Sequence, residues 1–192
     1  RSARYDECYG GRTMSTLFVN NLNTASGTDI TVASGKTIKA PGMIVQVQSG
    51  QTSTQTTLAS NRTTYTDVGL SVTITPKYAN SKIYVNVTGN GYASDATDNP
   101  LHKIVRTVGG TATAIARTDY MFYGSPDGNG GAYCQSVMDS AQSTAAHEYK
   151  IQMRSDTDGG NVYFNVNDSS NAGPSGDVES QLSTIMVMEI AQ

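Results

Sequence analysis

Gly69-Leu70-Ser71-Val72-Thr73-Ile74-Thr75-Pro76 alternates apolar and polar side chains and stops at a proline. A period of two puts Leu70, Val72 and Ile74 on one face of a strand and Ser71, Thr73 and Thr75 on the other. Proline has no N–H to give to a ladder, so the strand ends there. After a short break the pattern returns. Ile83, Val85 and Val87 alternate with Tyr84, Asn86 and Thr88. Two half-buried strands so close together set the fold class as all-β.

The same signal extends in both directions. Met43–Gln48 ends in clean alternation. The Ser49–Thr57 run is polar, but its threonines suit an exposed strand. Leu101–Val108 and Thr111–Arg117 flank Gly109-Gly110, which predicts a hairpin. The stretch 124–131, GSPDGNGG, predicts a surface loop, and Ala132–Met138 a strand. Tyr149, Ile151 and Met153 share a face, and a Gly159-Gly160 turn leads into Val162, Phe164 and Val166. A loop over Asn167–Asp177 precedes the closing segment Leu182–Ile190. That last strand is apolar on both faces, which predicts a central place in a sandwich or at a subunit interface. The one helical candidate is Ser140–Glu148. Eight or more strands joined by short turns predict a jelly-roll-like antiparallel β-sandwich.

Composition agrees. Among 192 residues there are 24 Thr, 20 Ser and 19 Gly, while charged residues make up only 15%. Threonine and tyrosine favour strands over helices, and low charge argues against disorder. The net charge of −3 supplies no basic stripe to track a phosphate backbone, so nucleic acid is not an expected partner. No apolar run approaches the ~18 residues needed to span a bilayer, and the first residues lack the apolar core of a secretory signal.

Pro41-Gly42 divides the chain into an N-terminal arm, 1–40, and a sandwich, 41–192. The arm opens with RSARYDECYGGRT, which carries three arginines, and Met14-Ser15 reads as a natural start. Residues 1–13 then precede an internal Met or remain after processing. Ser-Gly-Thr-Asp-Ile-Thr-Val and Ser-Gly-Lys-Thr-Ile-Lys-Ala follow as two similar short units. Such a thin stretch cannot bury a core by itself, so it must pair with copies of itself or lie on a partner.

No assembled chemistry is legible. His102 falls in a predicted strand and His147 at the end of a polar loop, and neither lies near Cys134 in sequence. Cys8 and Cys134 have no zinc spacing and read as two unpaired thiols, with pairing between subunits left open. Asp156 and Asp158, like Asp95 and Asp98, lack the other ligands of a calcium loop and read as turn residues. No catalytic set, metal site or cofactor is expected. Tyrosine is the more suggestive feature. Tyr120, Tyr123 and Tyr133 flank the Gly-rich loop and Tyr92 lies in another loop-like stretch, where flat faces with polar tips suit glycan or receptor contact.

Several stretches together resemble a family of bacteriophage virion structural proteins, tail-fibre-like, head-fibre-like or capsid-decorating, common in marine phages of cyanobacteria. The similarity covers residues 14–192. Its most specific parts are Gly69–Pro76 with Ser81-Lys82-Ile83, and Val187-Met188-Glu189-Ile190-Ala191, with Glu148–Gln152 between them. The resemblance implies an exposed virion protein on the phage particle, a homotrimer without enzyme activity. Residues 1–40 would then dock on capsid or tail. Three copies would bury Leu17, Val19, Leu22, Ile30, Val32 and Ile38, and close through Ile185 and Val187 of the last strand. Two alternatives stand beside this: a host-glycan-binding module of a tail fibre, and a strand-donating extracellular filament subunit.

Overall fold

A computed structural model describes residues 40–59, 61–93, 99–118, 129–156, 160–165 and 181–192. All lie in the compact unit Lys39–Gln192. The expected interface residues Leu17, Val19, Leu22, Ile30, Val32 and Ile38, the tyrosines Tyr120 and Tyr123, and Cys8 lie outside the described residues.

The described residues form ten strands: β1 (Ile44–Thr52), β2 (Thr56–Leu58), β3 (Thr66–Ile74), β4 (Lys82–Ala93), β5 (Pro100–Val108), β6 (Thr111–Thr118), β7 (Asn129–Ser140), β8 (His147–Ser155), β9 (Val162–Phe164) and β10 (Ser183–Ile190). They make two antiparallel sheets packed as a β-sandwich. One sheet has the order β3-β8-β5-β6. The other is centred on the long strand β4. Along one edge of β4 run β10, opposite Lys82–Thr88, and β9, opposite Gly91–Ala93; along its other edge runs β7. Beyond β10 and β9 lie β1 and β2. The six strands therefore occupy four rows. The pairing is nested: β1 with β10, β2 with β9, β3 with β8, β4 with β7 and β5 with β6.

The alternation read from the sequence becomes the core. Val68, Leu70, Val72 and Ile74 of β3 and Tyr149, Ile151 and Met153 of β8 face Ile83, Val85 and Val87 of β4 and Ile185 and Val187 of β10. All are buried, most completely. Each such side chain contributes roughly 1.5–3 kcal/mol by leaving water. At the tip of the nested ladder, Gly109 and Gly110 have φ of 55° and 82°. Two successive positive φ values match the right-handed strand twist in a two-residue turn, and glycine adopts them without a Cβ clash.

Four expectations change. The segment expected as a helix, Ser140–Glu148, is the end of β7, a loop, and the start of β8. Ser, Ala and Gln gave it helix-compatible composition without an apolar stripe to bury. The Gly-rich loop is shorter than expected, because β7 begins at Asn129 and pairs with β4 up to Ala93. The Ser49–Thr57 run is not one exposed strand but β1 and β2 with a break at 53–55. Ile185 and Val187, expected at a subunit interface, are fully buried between the two sheets. The last strand reads apolar on both faces because one face is core and the other, with Met186, Met188 and Ile190, is half-buried on the outside of its sheet.

The break between β1 and β2 is held by one residue. Asn165 is fully buried and adopts φ of 60°, a conformation Asn tolerates better than most residues. Its amide nitrogen donates to the Thr52 carbonyl at 3.1 Å and the Thr54 carbonyl at 3.0 Å. Its oxygen accepts from the Ser183 hydroxyl, and its backbone N–H donates to the Asn90 carbonyl at 3.0 Å. Asn165 thus joins four segments where β9 gives way to β10. Asn165→Ala is expected to destabilise by about 2–4 kcal/mol, through orphaned carbonyls and a less tolerated backbone. Asn165→Gly, which relieves the backbone alone, should recover only part of that loss in urea unfolding.

Candidate functional site

Three polar clusters and one groove stand out from the apolar frame. The most completely satisfied cluster surrounds Glu189. This carboxylate is fully buried at the end of β10. One oxygen accepts from the Lys77 N–H at 2.9 Å, the Tyr78 N–H at 3.0 Å and the Ser81 hydroxyl at 2.7 Å. The other accepts from the Lys77 N–H at 3.0 Å and the Gln46 amide at 2.7 Å. Gln46 also donates to the Thr75 carbonyl at 2.7 Å. Burial by itself would push the carboxyl up. The donors from Lys77, Gln46, Ser81 and Tyr78 outweigh it and hold the group below its ordinary value of 4.5. With its lone pairs filled, Glu189 stays ionised and is not free to take a proton from a substrate. It seals the turn 75–81 onto the last strand.

The second cluster lies between the sheets at the opposite side of β4. Arg106 of β5 reaches Asp139 of β7 at 2.9 and 3.0 Å and the Ser140 carbonyl at 3.0 Å. Tyr149 of β8 donates to the same Asp139 at 2.9 Å. Burial first, then the Asp139 charge and its hydrogen bond, drive the Tyr149 hydroxyl far above its ordinary range. His147 stands beside this network, buried, with a cavity of about 250 Å³ next to it. Burial and then Arg106 hold His147 below 6.5, against the opposing pull of Asp139 and the Ala141 backbone.

His102 occupies the same interlayer space further along. It is buried, its Nε2 is 2.7 Å from the Gln135 amide oxygen, and Gln135 in turn donates to Thr118 at 2.7 Å. Burial lowers its pKa, with Gln135 opposing. Cys134, by contrast, is exposed on the outer side of β7. The structure therefore brings neither histidine to the thiol. Asp156 is engaged across the sheet rather than within its own turn, accepting from the Asn99 N–H at 2.7 Å and the Asn99 amide at 2.9 Å. Among the described residues no three His, Cys, Asp or Glu side chains gather to hold a metal ion.

The tyrosines expected to meet a glycan are placed differently. Tyr92 lies within β4, not in a loop, and is 4% exposed. Its ring packs 5.8 Å from Tyr163. Tyr133 of β7 points into the sandwich, with its ring 4.7 Å from that of His102. Its hydroxyl is buried, which drives its ionisation far upward. Alternation puts Tyr133 on the core face of β7, opposite Gly89, while Tyr92 falls on the outer face of β4 with Tyr84 and is buried there beside Tyr163.

A third cluster escaped sequence reasoning. Lys103 of β5 sits 4.3 Å over the ring of Tyr65, with Arg154 of β8 at 5.1 Å and Arg117 of β6 at 5.9 Å. The four residues are scattered in sequence, and the pairing of β6, β5, β8 and β3 assembles them. Asp67 meets Lys150 nearby at 2.7 Å. These contacts lie on the outer face of the four-stranded sheet and contribute modestly, as exposed ion pairs and cation–π contacts do. The groove, about 450 Å³, lies on the other sheet beside Thr88, Asn90, Tyr133, Cys134 and Leu182.

No protein-family model matches the chain, and no curated protein matches it.

Proposed function

We propose that this chain is a non-enzymatic structural protein of a bacteriophage virion, an exposed oligomeric appendage built on a jelly-roll sandwich. Residues 1–40 anchor it to capsid or tail, and residues 41–192 project as the knob of a homotrimer. The nested strand pairing supports the jelly-roll reading, since that fold is one long hairpin rolled into two sheets. The observation that carries the proposal is the Glu189 cluster. The most specific stretches of the resemblance, 69–76 with 81–83 and 187–191, lie far apart in sequence. Glu189 of the last accepts from Ser81, and from Lys77 and Tyr78 of the turn between the first two. The residues behind the resemblance hold a scaffold closed, as a structural subunit requires. The test is mass spectrometry of purified particles, with electron microscopy of particles lacking the gene product. The protein is expected in the virion, and a surface feature is expected to vanish with it. Absence from purified virions overturns the proposal.

A second reading, host-glycan binding, is favoured by the groove beside Tyr133 and Leu182, which is large enough for one or two sugar units. Leu182 is 59% exposed at its rim. Binding to a glycan array that Leu182→Asp abolishes would support this reading, and an array without signal would remove it.

A further inference from the structure

The outer face of the six-stranded sheet carries an apolar row. Val47 pairs with Met188, Met188 with Tyr84, and Tyr84 with Met138, so one line of side chains crosses β1, β10, β4 and β7. Ile44 and Ile190, paired with each other, extend it along one side. Val47 is 48% exposed, Ile44 51% and Met138 53%. These are large values for apolar residues lined up on one surface rather than scattered. On the other side the next row is Ser49, Met186, Asn86 and Ser136. Among the described residues the only charge on this face is Lys82, whose ammonium bonds the Ser140 hydroxyl at 2.8 Å.

We infer that this face packs against a second copy of the chain. The inference rests on the self-assembly in the proposed function and names the surface that performs it. Three features select a second copy over other occupants. First, shape: a flat sheet face matches another sheet, packed about 10 Å away, whereas a helix would need a groove. Second, charge: a membrane surface would be met by several lysines and arginines, and this face has one. A face without acidic side chains and with one engaged lysine meets its own copy with little repulsion. Third, area: four rows at about 4.8 Å and eight to twelve residues at about 3.4 Å give a flat face of roughly 500–800 Å². That approaches the about 800 Å² per partner of a stable interface. The methionines add adaptability, since an unbranched thioether fills the gaps between two apposed ridges.

The experiment is sedimentation velocity with the full chain and single variants. Met138→Lys and Val47→Lys place a charge on the face without touching the core. Thr73→Lys places one on the outer face of the opposite sheet. The unaltered chain is expected to sediment as two or more copies. Met138→Lys and Val47→Lys should weaken association at least tenfold while circular dichroism and thermal unfolding stay as before, and Thr73→Lys should leave the mass unchanged. If the two face variants keep the oligomer, this face is not the contact, although self-assembly stands. If the unaltered chain is a single copy at about 100 µM, both the face and self-assembly fall, and detection in purified particles still decides the virion proposal independently.

Discussion

Glu189→Ala is expected to destabilise the sandwich by about 3–5 kcal/mol, more than a typical single substitution. The variant removes the acceptor of the Ser81 hydroxyl and of the Lys77 and Tyr78 N–H groups, and loosens Gln46. Ser81 is itself fully buried and cannot turn to water. Glu189→Gln keeps the volume but turns an NH2 toward donors, so it should recover little. Midpoints in urea at pH 7 measure both.

The same carboxylate predicts the acid limb of stability. Its folded pKa lies below 4.5, so its contribution is whole above that value and is lost as pH falls through the folded pKa. The histidines act earlier. His102 and His147 both have folded pKa values below 6.5, so the unfolded chain binds protons first as pH drops below 6.5. Stability should therefore decline gently from about pH 6.5 and more steeply below about 4.5. Glu189→Gln should remove most of the steep limb and leave the gentle one. An unchanged steep limb would mean that other carboxylates carry it.

Gly50→Ala is the second large expected effect, about 2–4 kcal/mol, with Gly50→Val abolishing the native fold. Gly50 lies in β1 opposite Ile185. A Cβ there would stand 2.0 Å from the Ser71 carbonyl oxygen of β3 and 3.4 Å from Ile185. The obstacle is backbone of the facing sheet, not a side chain that swings aside, so the sheets must part at this edge. Thr73→Ala, on an exposed outward position of β3, is the control and should stay within about 0.5 kcal/mol. A Gly50→Ala protein as stable as the control would show that β1 lies further from β3 than described.

Periodicity alone determined the all-β class, the faces of β3, β4 and β8, and the Gly109-Gly110 hairpin, because alternation at period two reports which side of a strand meets the core whatever its neighbour is. The pairing partners were not legible. Nothing local in Val187 or Ile185 distinguishes burial inside one sandwich from burial between subunits, since both remove the same apolar surface from water. The sites followed the same division. Tyr92 read as a loop residue because nearby glycines interrupt the pattern, yet the pairing of β4 with β7 and β9 makes it part of a strand, and the same pairing turns Tyr133 toward the interior. The gathering of Lys77, Tyr78, Ser81 and Gln46 on Glu189, of three cations on Tyr65, and of Val47, Met188, Tyr84 and Met138 in one row depends on strand order and register. Those are set by the packing of the whole sandwich, through contacts between residues far apart in the chain, and so only the tertiary structure decided them.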